Sequence, residues 1–265
     1  MNSFKLNTAV KKKIKKMTKK SIMADQVETD DDIERTAKLT AYHEAGHLVI
    51  SACVGYGYSK EVFKSIDIVS DRRFLGSISW KINFWPDPNR IAGETLPYLA
   101  FKRIANYVAG DAAGNKATGA NISCEGLYGR YLDNQMSLEA FGRTDAGMAI
   151  YNAKALIDAM SDEDSYGFAN ALQMVQQVEP IVEKLVNDSD IWTAINAIAC
   201  KLGKVGKISG FEIVDPIINK IGEKLTNNPL RKAIEDCTPQ LSDFIGCDEK
   251  MIADIVKLND LTMVI

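Results

Sequence analysis

The chain is poor in histidine, with only two among its 265 residues. That scarcity excludes a metal site built from three imidazoles, so any metal centre must also draw on carboxylates or thiols. Its five cysteines, Cys53, Cys124, Cys200, Cys237 and Cys247, are odd in number, widely spaced and never in a C-x-x-C pair. A disulfide framework and a cysteine-rich zinc site are thereby excluded, and free, mostly buried thiols in a reducing compartment are expected. No apolar run reaches the roughly 18 residues of a membrane-spanning helix. The first residues lack the apolar core of a secretory signal, so a cytoplasmic location is expected. A net charge of −3 carries no overall bias toward nucleic acid. No G-x-x-x-x-G-K-S/T phosphate loop occurs; the runs from Gly110 to Lys116 and from Gly203 to Lys207 echo it without its spacing. What remains is ordinary globular composition, 46% hydrophobic and 25% charged, enough for a sizeable core.

Both histidines lie in one stretch, Thr40-Ala41-Tyr42-His43-Glu44-Ala45-Gly46-His47-Leu48-Val49-Ile50, which has the pattern H-E-x-x-H. Ala37, Leu39, Ala41, Ala45, Leu48, Val49 and Ala52 suit a buried helix, and no proline interrupts residues 36–54. On that helix His43 and His47 stand one turn apart on the same face. Two imidazoles so placed can hold one zinc ion at about 2.0–2.1 Å each. Glu44 is rotated about 100° from His43, so it flanks the metal rather than ligating it. That is the place for a general base acting on metal-activated water. Two histidines at this spacing can also be a packed or surface pair, but a glutamate buried between them is costly unless it has a role. Two histidines leave a catalytic zinc one protein ligand short, and the missing one must be Asp, Glu or Cys.

Along the chain, residues 1–28 begin as a basic arm. Lys5, Lys11, Lys12, Lys13, Lys15, Lys16, Lys19 and Lys20 occur with no acid before residue 25, and Val10, Ile14 and Met17 have helical spacing. Such an arm is expected to be a flexible, solvated tail, with contact to an anionic membrane or nucleic acid as its functional alternative. Thr29 and Asp32 form a capping box opening the motif helix. Residues 65–69 and 75–80 alternate like two strands of a hairpin. Helices are expected over about 95–116, 138–160, 165–187 (capped by residues 162–164 and kinked or divided at Pro180), 191–202 and 210–226. Residues 117–138, broken by Gly119, Gly126 and Gly129, are expected to be a loop or partly ordered insertion. The expected fold is mainly α with a small β-hairpin or sheet. Residues 29–226 form its main domain, and 227–265 a helical extension.

Several of these segments resemble one known family in the same order. Ala41-Tyr42-His43-Glu44-Ala45-Gly46-His47 resembles the active-site helix of the FtsH family, the membrane-associated AAA zinc proteases. Residues 65–69 followed by Leu75-Gly76 resemble its hairpin. Val108-Ala109-Gly110-Asp111-Ala112-Ala113 resembles its Ala-Gly-Arg-Ala-Ala segment. Arg143-Thr144-Asp145, with Ala149 and Ala153, resembles the helix bearing the family's third zinc ligand. Residues 205–212 resemble its late turn before a final helix. The resemblance covers about residues 37–217 and implies Asp145 as the third ligand; Asp111 and Asp133 are the rival carboxylates. The chain departs from the family in several ways. Asp111 stands where the family has Arg, Gly114 stands where it usually has an acid, residues 117–142 form a longer link, and no AAA module or membrane segment is present.

The resemblance implies a zinc metalloendopeptidase with Zn2+ held by His43, His47 and Asp145 and Glu44 as catalytic base. Its expected substrates are peptides or flexible protein segments, fed by a separate ATPase or a homo-oligomer if folded proteins are to be cut. The alternative is a non-catalytic zinc-binding scaffold derived from a peptidase, against which Glu44 itself argues.

Overall fold

The helix that carries the motif starts where its capping residues dictate. In the computed structural model, which describes residues 3–21, 29–54, 60, 63–69, 76–80, 96–160 and 168–225, Thr29 accepts from Asp32 N while Asp32 accepts from Thr29 N. This reciprocal box satisfies two of the amides that a helix start leaves unpaired. Helix α2, Asp30–Cys53, runs from there, with Asp30, Asp31 and Asp32 at the positive end of its dipole. From Ala41 onward α2 is buried on nearly every side, and Ala41, Ala45, Leu48, Val49 and Ile50 are fully enclosed.

The other described elements follow in chain order. Helix α1, Thr8–Ser21, precedes α2. Strands β1, Phe63–Asp67, and β2, Ser77–Trp80, come next. Helices α3, Leu96–Thr118, α4, Cys124–Leu132, α5, Leu138–Phe141, and α6, Asp145–Met160, follow. Helices α7, Phe168–Asn187, and α8, Ser189–Val205, lead to strand β3, Lys207–Ser209, and helix α9, Phe211–Leu225. The protein is thus mainly helical with a small antiparallel sheet, as expected. Among the described residues no helix is long and apolar enough to cross a membrane.

The chain divides into two compact units. One contains Met1–Asn83, Ala109–Ile122 and Glu183–Lys224; the other contains Phe84–Val108, Ser123–Val182 and Leu225–Ile265. The expected domain of residues 29–226 therefore contributes to both units.

In the first unit α2 packs along α8, whose Ile191, Ala194, Ile195, Ile198, Ala199 and Leu202 form a buried stripe at helical spacing. Asp188 caps α8 by accepting from Asp190 N and Ile191 N. Tyr42 stacks on Trp192 with centroids 5.3 Å apart, and its hydroxyl meets Asn196 Oδ1 at 2.5 Å. Burial pushes that hydroxyl up to about 12, so it stays protonated and a donor. Lys116, near the end of α3, lies over the other ring of this stack, 4.3 Å from the Trp192 centroid, and donates to Val186 O. Desolvation lowers its pKa.

The sheet has the order β2-β1-β3, all antiparallel. Ile66 pairs with Ile78 on one side and Ile208 on the other. The hairpin was expected; the third strand was not. It forms because Gly206, at φ +76, turns the chain out of α8, and Gly206 O then accepts from Ile68 N to start the ladder. The free edge of β2 is unpaired within the described sheet.

The basic arm differs from the expected flexible tail. Residues Thr8–Ser21 are a docked helix packed on α2 and α8, with Val10 and Ile14 buried. Lys11 and Lys15 pair with Asp30, lowering the pKa of its carboxyl mainly through the Lys15 hydrogen bond, but these exposed pairs contribute little. Burial of Val10 and Ile14, about 1.5–3 kcal/mol each, dominates the docking. Two residues of its apolar face, Val10 and Ile14, are thus enclosed by the protein itself.

In the second unit two expectations are corrected. Residues 117–138 are not all loop: Ser123 caps α4 by accepting from Gly126 N, and Cys124 is buried and donates its amide to Glu179. The expected single helix over 138–160 is divided. Gly142 ends α5 after one turn, and Thr144 Oγ1 accepts from Gly147 N to begin α6. Tyr128 and Tyr131 pack on Phe141 beneath this turn. Helix α7 passes through Pro180 undivided, with Ala171, Met174, Val175, Val178 and Val182 on its buried face and Pro180 exposed. The expected cap at 162–164 and the extension at 227–265 lie outside the described residues.

Candidate metal centre

Helix α2 presents His43 and His47 as its spacing requires. Their Nε2 atoms are 3.0 Å apart, and the rings meet edge to face with centroids 4.6 Å apart. Two bonds of about 2.0–2.1 Å at a tetrahedral angle would set these nitrogens roughly 3.3 Å apart, within a few tenths of an ångström of what is seen. A direct imidazole–imidazole hydrogen bond would suit the same distance, so the surroundings must decide.

They are compatible with a metal. Opposite the two rings α3 passes with Gly110. A Cβ there would fall 2.5 Å from His47 Nε2 and 2.7 Å from His43 Nε2. The space in front of both ligand nitrogens exists because this position has no side chain. The close approach of α3 depends on Gly46, where a Cβ would lie 2.6 Å from Ala109 O and from the Ala113 side chain. Small residues on both helices thus bring backbone against backbone and keep any side chain at position 110 away from the two ligand nitrogens.

Glu44 is 6% exposed and His47 8%. Gly76, the residue before β2, lies over the glutamate, and a Cβ there would fall 2.5 Å from Glu44 Oε1. Burying a carboxylate beside two imidazoles is expensive unless its charge is used. The edge strand β2 therefore begins beside the general-base candidate.

Asp111, weighed as a rival ligand, meets the other side of His43: its Oδ1 is 3.3 Å from Nδ1, and both residues are largely enclosed. Asp133, the second rival, is exposed at the C-cap of α4. Gly114, where the family resemblance would put an acid, faces Leu39, so an apolar contact fills that position. Asp145 occupies the first turn of α6, and the capping of that helix is done by Thr144. His43, His47 and Asp145 form a group that could hold a metal ion, each offering one ligand atom, all within 4.8 Å of one another.

The two histidines, Glu44 and Asp145 stand out in the sequence itself. Gly110 and Gly76 do not, because a missing side chain reports its reason only once the facing atoms are known. No protein-family model matches the chain, and no curated protein matches it.

Proposed function

We propose that this chain is a zinc-dependent metalloendopeptidase of FtsH-like type, acting on peptides or flexible protein segments. The observation that carries the reading is the cradle: two imidazole Nε2 atoms 3.0 Å apart on one buried helix, facing a glycine whose Cβ would fill the space before them. Asp145 completes three protein ligands, the number typical of a catalytic zinc with one position left open.

Zinc, when bound, supplies Lewis-acid activation of water and polarises the scissile carbonyl. The rest falls to the chain. His43 and His47 orient the site from consecutive turns of α2. The Glu44 carboxylate accepts the proton of the attacking water and returns it to the nitrogen of the leaving amine. The edge of β2 that is unpaired among the described residues, beginning beside Glu44, offers main-chain groups to an extended substrate, which would join as an added strand. A substrate held that way must already be extended, which limits the enzyme working alone to unfolded segments. Folded targets would need a separate ATPase or an assembly of copies, and a cytoplasmic setting fits such a protein.

Zinc-loaded protein is expected to cleave internally quenched peptides and an unfolded model protein. A chelator should abolish the activity and added zinc should restore it. Zinc-loaded protein that leaves every such substrate intact would overturn the peptidase reading in favour of a zinc-binding scaffold.

A further inference from the structure

Two consecutive residues of α3 address the two nitrogens of one imidazole. Gly110 leaves open the space at His43 Nε2, while Asp111 Oδ1 stands 3.3 Å from His43 Nδ1. The two ring nitrogens point out of opposite sides of the ring, so a carboxylate at Nδ1 is not placed to ligate an ion shared with His47 Nε2. The group that could hold a metal accordingly contains Asp145 and not Asp111. A neutral imidazole carries one N–H, and which nitrogen bears it is set by the partner of the other. A carboxylate only accepts, so an aspartate at Nδ1 favours the tautomer with its proton there.

We propose that Asp111 is a positioning residue: it accepts the Nδ1–H of His43, fixing both the tautomer and the ring orientation that present the Nε2 lone pair beside His47 Nε2. The proposal rests on the metallopeptidase reading for its purpose and on the His43–Asp111 geometry for its substance. The pair is built from the protein interior: the Asp111 side chain is 15% exposed and that of His43 22%. Its placement follows from the close crossing at Gly46, which brings α3 against α2 just before Asp111. A carboxylate behind a metal-binding imidazole raises the basicity of the ligand and removes the cost of choosing a tautomer on binding. Loss of such a partner typically weakens metal affinity about 10–100-fold.

The scarcity of histidine makes the test direct. With only two imidazoles in the chain, nitrogen-15 labelling of histidine gives two ring systems, told apart by His47→Gln. Long-range proton–nitrogen correlation spectra of metal-free wild-type protein, at pH about 8 where an imidazole is ordinarily neutral, are expected to show His43 protonated at Nδ1. In Asp111→Ala that preference is expected to disappear, with zinc affinity measured by chelator competition falling about 10–100-fold. Asp111→Glu is expected to recover part of both. Asp133→Ala is expected to match wild type. His43 protonated mainly at Nε2 in the wild type, or Asp111→Ala binding zinc as tightly as wild type, would overturn the proposal. The tautomer is read without metal or substrate, so a protein that binds no zinc would sink the peptidase reading while still deciding the role of Asp111. If Asp111→Ala does not fold, the wild-type tautomer remains decisive.

Discussion

Replacing Glu44 by Gln is expected to lower peptide hydrolysis by about 10²–10⁴-fold, the range for loss of a positioned general base, while zinc stays bound. The two effects separate because Glu44 is not among the residues grouped for the metal. It is turned about 100° around the helix from His43. Gln keeps the shape that fits beneath Gly76, where the glutamate carboxyl meets the backbone before β2, so the substitution removes proton transfer and little else. Parallel zinc analysis and peptide-cleavage rates check the pair of outcomes. A variant that keeps wild-type turnover would show that the buried carboxylate serves another purpose. One that loses zinc along with activity would make Glu44 part of the metal's support.

Gly110→Ala has the second large expected effect, and here two physical terms compete. Alanine in place of glycine within a helix ordinarily gains about 1 kcal/mol. At this position the new methyl would stand 2.5 Å from His47 Nε2 and 2.6 Å from His43 Cε1, far inside van der Waals contact. Overpacking of this kind costs about 1–3 kcal/mol. The atoms in its way are the far ends of two side chains, which can swing aside, so the fold is expected to survive with little net change in stability. The site cannot survive in the same way. Either the methyl holds the metal's place or the rings turn from each other, and zinc affinity is expected to fall by more than about 100-fold, beyond the loss of an outer partner. Gly129→Ala is the control: nothing lies within 4 Å of a Cβ there, and that variant is expected to gain some tenths of a kcal/mol to about 1 kcal/mol and keep its zinc. Thermal unfolding and chelator competition on both variants separate the terms.

The motif helix was legible because its signals are local. Thr29 and Asp32 are three residues apart and cap each other, and H-E-x-x-H declares its own face. The rest of the site depended on distant partners. Asp111 reads as a spare carboxylate until α3 is laid beside His43. Gly110 reads as a weak point in a helix until the two ligand nitrogens are seen in front of it. The errors in the fold have the same origin. Strand β3 is three residues long and exists only because Gly206 turns the chain toward Ile68. The apparent run of helix through 138–160 hides a break at Gly142, after which the Thr144 hydroxyl caps a new start. Helix α4 contains glycines that argue against a helix, yet Ser123 caps it and Cys124 anchors it. The lysines of α1 suggested a solvated arm, whereas two apolar side chains among them decided where it rests.

We propose that α2 holds a zinc ion through His43 and His47, with Asp145 of α6 as third ligand. Metal content, measured after expression with zinc and exhaustive dialysis, tests it in one set of samples. Wild type and Asp133→Ala are expected to carry about one zinc per chain. His43→Ala, His47→Ala and Asp145→Ala, each confirmed folded, are expected to carry little or none. Wild-type protein that retains no zinc, or histidine variants that retain as much as wild type, would contradict the account.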